Sequence, residues 1–288
     1  MRAFSGELFK TVRRPAVWVC VVVLLAVAVS IGYGIPWLFE TFGKLPASSS
    51  SSLPPGTTLA DLKVALYPAN VVRQTVQQWS VLGGVFALIV GVLLQGSEYG
   101  WSTVKTLLTQ RDGRLVMLAG KLGALAVTVL VLVVGMFAVD VVSSVAAALL
   151  DGKSIDFPGA AEFAKGFFAL YLIYGFWALF GIVLATLFRQ SAMAIGLGLA
   201  YALVIEGIIF GVVGGLAPDI VNPIRQWFPI TNMSYLSDSF GSIGIRGIRT
   251  VTAQPYAGPT HAVIVLLAYV VACTGITAFL VRRRDVTS

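Results

Sequence analysis

The chain has 288 residues, 57 % of them hydrophobic and only 11 % charged, with a mean hydropathy of +0.88. Soluble domains carry about 45–50 % apolar and about 25 % charged residues. These figures therefore exclude a soluble enzyme, a disordered chain and a nucleic-acid-binding domain, and they point to a membrane protein with several spans. The formal charge is +7, from 20 Lys+Arg against 13 Asp+Glu, and in this composition it reads as basic loops beside a membrane rather than a nucleic-acid patch. Cys20 and Cys273 both lie in apolar runs and His261 is the one histidine. Neither a disulfide framework nor a metal site is expected from that inventory.

Residues 1–14 predict a short amphipathic helix. Phe4, Leu8, Phe9 and Val12 fall on one face and Lys10, Arg13 and Arg14 on the other, which suits a helix lying at the inner membrane surface. The plainer alternative is a basic flank that orients the first span. The first apolar run, residues 17–39, is long enough to cross, since about 20 residues span a 30 Å core. Ala26, Val27 and Ala28 resemble a signal-peptide cleavage site, but the run continues past them, which favours a retained span.

Residues 40–78 are polar and contain a serine run at 48–52 followed by Pro54, Pro55 and Gly56, the marks of a flexible outer loop. The second span is expected at 79–95, and a polar segment follows. The third span is expected at 115–140. Its apolar run continues towards Leu150, about 50 Å of helix, so it must tilt, kink or leave the membrane. A short outer loop at 151–162 precedes the fourth span, 163–188. Only Arg189 and Gln190 separate that from the fifth, 191–216. A long outer stretch, 217–260, is rich in Pro, Gly, Ser and Asn, and the sixth span is expected at 261–281. The expected architecture is thus all-α: one membrane domain over 1–288, with six spans, an amphipathic N-terminal helix and a helix between spans two and three.

Six spans place both termini on one side. That side collects Arg2, Lys10, Arg13, Arg14, Lys105, Arg111, Arg114, Lys121, Arg189, Arg282, Arg283 and Arg284. The other side has fewer basic residues over about twice the loop length, and most of the loop acids. The positive-inside rule then predicts cytoplasmic termini and a multi-pass protein of the plasma membrane.

No catalytic constellation emerges. G-x-x-x-x-G-K-[ST] and H-E-x-x-H are both missing from the sequence, so neither a P-loop nor a zinc-protease site is expected here. Ser242 and His261 do not assemble a serine-protease arrangement. Two acids do lie in apolar runs, Glu206 in the fifth span and Asp140 in the third. An acid at the bilayer centre costs about 2.5–3.5 kcal/mol on insertion scales, so each should face protein or a water-filled path. Either a cargo or cation contact or a structural hydrogen bond between helices would satisfy that. Beside Glu206, Gly207, Gly211 and Gly215 share one helix face, a small-residue ridge suited to close helix packing.

The most informative segment joins spans two and three. Within it Trp101, Val104, Leu107 and Leu108 form a helical apolar stripe. A short amphipathic helix on the basic side can lie on lipid or dock in a groove of a cytoplasmic partner. Here the sequence resembles the membrane subunit of a type-2 ABC exporter, whose second span ends in a stretch close to E-x-x-x-G-T-x-[K/R]-x-L-L-x-x-P-x-x-R, with Gly-Lys opening the third. Glu98, Thr103, Lys105, Leu107, Leu108, Arg114, Gly120 and Lys121 match in kind and order, while Arg111 and Asp112 stand where the proline is often found. The six-span layout, Glu7–Lys10 in the N-terminal lead, the Arg284–Asp285–Val286 ending and Trp227–Phe228–Pro229 before the last span fit as well.

The resemblance implies a permease half that pairs with a second copy or a related permease over two separate ABC ATPase subunits. Glu98, Gly100, Trp101, Thr103, Lys105, Leu107, Leu108, Arg111 and Arg114 would form or flank the coupling helix in an ATPase groove. ATP and Mg would be bound by the ATPase, leaving no cofactor in this chain, and the cargo would be hydrophobic or amphipathic. Glu206 and Asp140 would be candidates for the cargo path. The competing reading is a stand-alone channel or ion-driven carrier that uses those two acids.

Overall fold

The structure is a computed structural model that describes residues 2–42, 64–100, 113–213, 216, 218–241 and 257–283. The described residues are helical with short connections and no strand. The helices are α1 (Arg2–Val12), α2 (Pro15–Val29), α3 (Ile35–Phe42), α4 (Val71–Gly100), α5 (Arg114–Leu150), α6 (Ala160–Phe188), α7 (Ser191–Ala200), α8 (Pro218–Arg225), α9 (Pro229–Asp238) and α10 (Gly258–Arg283). Six stretches are long and apolar enough to cross a membrane: Pro15–Leu38, Pro68–Gly96, Leu115–Leu150, Ala160–Phe188, Ser191–Ile208 and Gly258–Arg283.

The first span opens with Pro15 in its first turn, where the missing N–H costs nothing and φ is already set for a helix. It joins α2 to α3 through a π-helical turn, Ser30–Gly34. Pro36 accounts for the distortion, because it cannot donate to the carbonyl four residues back and its ring crowds that carbonyl. The oxygen so released, on Gly32, accepts instead from Gln74 Nε2 at 3.2 Å.

The second span begins earlier than the expected residue 79, since helix continues from Pro68. Polarity at Arg73, Gln74, Thr75 and Gln77 gave that stretch the look of a loop. Each of these side chains instead has a partner on another element: Phe240 O for Arg73, Gly32 O for Gln74, Asp140 for Thr75, and Ser237 O with Gly241 O for Gln77. A satisfied polar group does not interrupt a helix. The third span is likewise longer than expected. α5 runs unbroken for 37 residues, about 55 Å, and its last turn leaves Leu149 and Leu150 exposed. α6 ends at Arg189, the one described non-glycine residue at positive φ (55°), and α7 starts two residues later.

The packing centre is the α4–α6 pair, where glycines let the two backbones touch. A Cβ on Gly91 would lie 2.0 Å from the Ala178 carbonyl oxygen, and one on Gly181 would lie 2.3 Å from that of Leu88. Gly83 and Gly84 make room for the rings of Tyr174 and Trp177. Trp79, Tyr174, Phe176 and Trp177 are all fully buried around this seam. Close backbone approach of this kind is how helices associate where lipid offers no hydrophobic penalty.

α1 lies across the first turns of α5. A Cβ on Gly120 would sit 2.8 Å from the Ala3 carbonyl carbon, and Gly123 backs the Phe4 ring. The face turned to the protein is polar: Glu7 and Thr11 are buried, with Glu7 paired to Lys10 at 2.7 Å and Thr11 Oγ1 donating to Glu7 O at 2.8 Å. Phe9 and Val12, from the expected apolar stripe, point away from the bundle, as a helix bedded in lipid requires.

The stretch 217–260, expected as loop, is helical over 218–225 and 229–238. α9 has its N-terminal end against the fifth span, through Glu206, and its C-terminal end against the start of α4, through Arg73 and Gln77. The α8–α9 pair therefore folds back into the bundle from the end opposite α1. α10 closes over it, with Trp227 ringed against His261 at 5.1 Å and Tyr269 Oη donating to Trp227 O at 3.2 Å.

Candidate functional site

Three places gather the polar groups that a membrane interior would otherwise exclude. The first is Glu206, which is buried between two π-helical turns, Tyr201–Ile205 and Ile209–Val213. Such turns mark strained or functional positions in helices. The wider turn brings Tyr201 and Glu206, five residues apart, into line, and the tyrosine hydroxyl donates to Oε2 at 3.0 Å. The remaining donors come from α9. Ile230 N reaches Oε2 at 3.2 Å, while Thr231 N and Thr231 Oγ1 reach Oε1 at 2.8 and 3.1 Å.

α9 opens with Phe228 at its cap position and Pro229 in its first turn, so no side chain of its own caps it. Glu206 supplies that cap from the fifth span. A carboxylate at a helix N-terminus satisfies orphan N–H groups and meets the positive end of the helix dipole. The geometry of Glu206 is that of a clasp between two elements, with both oxygens engaged.

The second place is Asp140, fully buried in α5. Thr75 Oγ1 lies 2.6 Å from Oδ2 and also 2.8 Å from Val71 O. A hydroxyl has one proton, so both contacts are hydrogen bonds only if the carboxyl carries a proton and donates to Thr75. Two nearby hydroxyls are committed elsewhere: Tyr33 Oη donates to Asp140 O at 3.0 Å and Tyr174 Oη to Trp79 O at 3.1 Å. Oδ1 and Trp79 Nε1 are buried without a hydrogen-bond partner. The cluster ties the first, second and third spans together.

The third place is the α1 end of the bundle, where the segment 101–112 departs and returns. Arg14 Nη1 donates to Leu93 O at 3.0 Å, and Lys121 Nζ donates to Gln95 Oε1 at 2.8 Å. A Cβ on Gly96 would meet the Ser191 hydroxyl oxygen at 2.3 Å. The last described turns of α4 are thereby fastened to the elbow before α2, to α5 and to α7.

Of the residues singled out from sequence, Glu206 and Asp140 are both buried but sit in separate clusters, on different elements and with different partners. Glu98 and Gly100 end α4, and Arg114 opens α5. Trp101, Thr103, Lys105, Leu107, Leu108 and Arg111 lie outside the described residues, as does Gly215. Gly211 falls in the second π-helical turn. Gly207 has open space where a Cβ would stand, so among the described residues it makes no close helix approach; Gly83, Gly84, Gly91 and Gly181 do. Sequence reading missed this seam, although Gly84 and Gly91 are seven residues apart and hence on one face. It also missed the Lys121–Gln95 link and the folded-back α8–α9 pair. The proline at the start of α9, Pro229, was the available signal for that helix.

An all-helical bundle of six membrane-crossing stretches defines a multi-pass membrane protein. More narrowly, the chain belongs to the ABC-2 transporter family: the family model described as "ABC-2 family transporter protein" matches residues 3–286. It is a membrane permease of that family, whose members generally work with an ABC ATPase partner. Among curated proteins nothing matches.

Proposed function

We propose that this chain is one half of the membrane pathway of an ATP-driven exporter in the plasma membrane. It would pair with a second copy or a related permease, and two ABC ATPase subunits would bind at the α1 end. The cargo would be a hydrophobic or amphipathic molecule such as an antibiotic, drug, peptide or lipid-like compound. Family membership over residues 3–286 is the observation that carries this reading.

The physical sense of the proposal lies at the base of the segment 101–112. Arg14 and the Lys121–Gln95 link fasten the end of α4 to the elbow before α2 and to α5. A push on Trp101, Thr103, Lys105, Leu107, Leu108 or Arg111 from an ATPase groove would reach the first three spans through these links rather than bend a free loop. ATP-driven closure of the ATPases would then bias a two-state bundle between inward and outward access.

The test is co-purification of an ATPase with the full chain and cargo-stimulated ATP hydrolysis by the reconstituted complex. Lys105→Glu or Leu108→Asp should abolish that stimulation and transport while leaving membrane insertion unchanged. Transport by the purified chain alone, or full coupling in both variants, would overturn the reading.

A further inference from the structure

The elbow between α1 and α2 turns two neighbouring arginines in opposite directions. Arg14 points into the bundle and is held by the carbonyls of Leu93 and Leu94 at 3.0 and 3.4 Å. Arg13 is exposed, its guanidinium 4.5 Å over the Phe9 ring. Among the described residues no carboxylate or carbonyl hydrogen-bonds that guanidinium. Below Arg13 a groove of about 550 Å³ is lined by Arg13, Pro15, Trp18, Val19, Val22 and Val23. One wall is fixed in place, since Trp18 Nε1 donates to Val12 O at 2.7 Å.

We propose that this groove is a binding site for one anionic phospholipid, with its phosphate on Arg13 and an acyl chain along Trp18, Val19, Val22 and Val23. Two observations select this occupant. The lining is apolar except for one cation, and that cation sits at one end, the order of charge and hydrocarbon in a lipid. From Pro15 to Val23 the groove follows about 12 Å of helix, close to one leaflet's share of a 30 Å hydrocarbon core. The volume lies within the range of about 300–1,000 Å³ that ligand sites occupy.

The site stands apart from the transport reading, since it needs neither an ATPase nor a cargo. Basic residues at a membrane surface favour anionic over zwitterionic lipid by about fivefold each. The experiment is native mass spectrometry of the purified, delipidated full chain titrated with phosphatidylglycerol and with phosphatidylcholine. The wild-type chain should retain phosphatidylglycerol about fivefold more strongly. Arg13→Gln should erase that preference and Arg13→Lys should keep most of it. Val22→Trp fills the groove at a position 62 % exposed, so it should fold normally, and it should weaken both lipids together. Glycerol 3-phosphate, which carries the headgroup charge without a chain, should not displace bound lipid. An unchanged preference in Arg13→Gln, unchanged binding in Val22→Trp, or displacement by glycerol 3-phosphate would each overturn the assignment.

Discussion

Glu206 and Thr231 meet twice across 25 residues of sequence: one carboxylate oxygen accepts from the threonine backbone N–H at 2.8 Å and from its hydroxyl at 3.1 Å. With Ile230 N and Tyr201 Oη on the other oxygen, the carboxylate holds the start of α9 to the fifth span. The buried acid is therefore accounted for by protein donors, without a cation or a cargo. That arrangement weighs against an ion-driven carrier built on Glu206.

The clasp predicts a graded loss. Glu206→Ala strands the N–H groups of Ile230 and Thr231 in a buried place, at about 1–3 kcal/mol for each unsatisfied group. Glu206→Gln keeps one acceptor oxygen and should recover about half of the loss. Thermal unfolding of the purified chain in detergent should give the order wild type, Gln, Ala. Hydrogen exchange should rise at 230–231 before it rises elsewhere. If Glu206 lined the cargo path instead, Glu206→Gln would alter cargo preference while leaving stability and exchange untouched.

Asp140 makes a different prediction, because its contacts ask for a donor. An asparagine amide in its place donates to Thr75 Oγ1 while Thr75 donates to Val71 O, which reproduces the geometry around 2.6 and 2.8 Å. Asp140→Asn should therefore cost less than about 1 kcal/mol. Asp140→Leu removes that donor and leaves the Thr75 lone pairs buried without one, at about 1–3 kcal/mol. Thr75→Val should be milder in the Asp140→Leu background than alone, because the double variant leaves no orphan hydroxyl. A double-mutant cycle on melting temperature measures that coupling. An Asp140→Asn variant as damaged as Asp140→Leu would show that the carboxylate charge itself is needed.

Glycine substitutions separate the two candidate packing faces. Gly91→Val drives a side chain into the Ala178 backbone, where even a Cβ would lie 2.0 Å from the oxygen. Neither partner can yield as a flexible side chain would, so the loss should exceed about 3 kcal/mol, the upper end for overpacking, and the chain should fail to give a monodisperse detergent peak. Gly207→Ala meets open space. It should be neutral or stabilising by up to about 1 kcal/mol through helix propensity. The same size-exclusion and melting assays read both variants. A severe Gly207→Ala defect would reveal a packing partner outside the described residues.

What the sequence disclosed follows from which forces act locally. Span number was legible because length and hydropathy are set by the bilayer and need no partner. Asp140 and Glu206 were legible as costly acids. Their partners were not, since Thr75 lies 65 residues from Asp140 and Thr231 lies 25 from Glu206. The start of α4 was misplaced for the same reason: Arg73, Gln74 and Gln77 read as loop until Phe240, Gly32, Ser237 and Gly241 are seen to receive them. The partner of the glycine ridge was not legible, because a spacing names a face and does not say what that face meets. Gly207 and Gly91 obey the same periodicity, yet one faces open space and the other a carbonyl.

The brace at the α1 end gives the prediction closest to function. Lys121 is buried and its ammonium donates to Gln95 Oε1 at 2.8 Å, joining helices α5 and α4 just before the chain leaves for 101–112. Lys121→Met keeps the length and apolar stem of the side chain and removes the donor. Insertion and the glycine seam should survive, since that seam lies along α4 and α6. The tie between α4 and α5 should loosen. In the reconstituted complex, basal ATP hydrolysis should be retained while cargo-stimulated hydrolysis falls several-fold. Gln95→Glu should retain coupling when Lys121 is present, because an ammonium–carboxylate pair replaces the ammonium–amide bond, and should not restore it in the Lys121→Met background. Full stimulation in Lys121→Met would mean that force from an ATPase reaches the spans by another route, with Arg14 and its carbonyls at Leu93 and Leu94 the next link to cut.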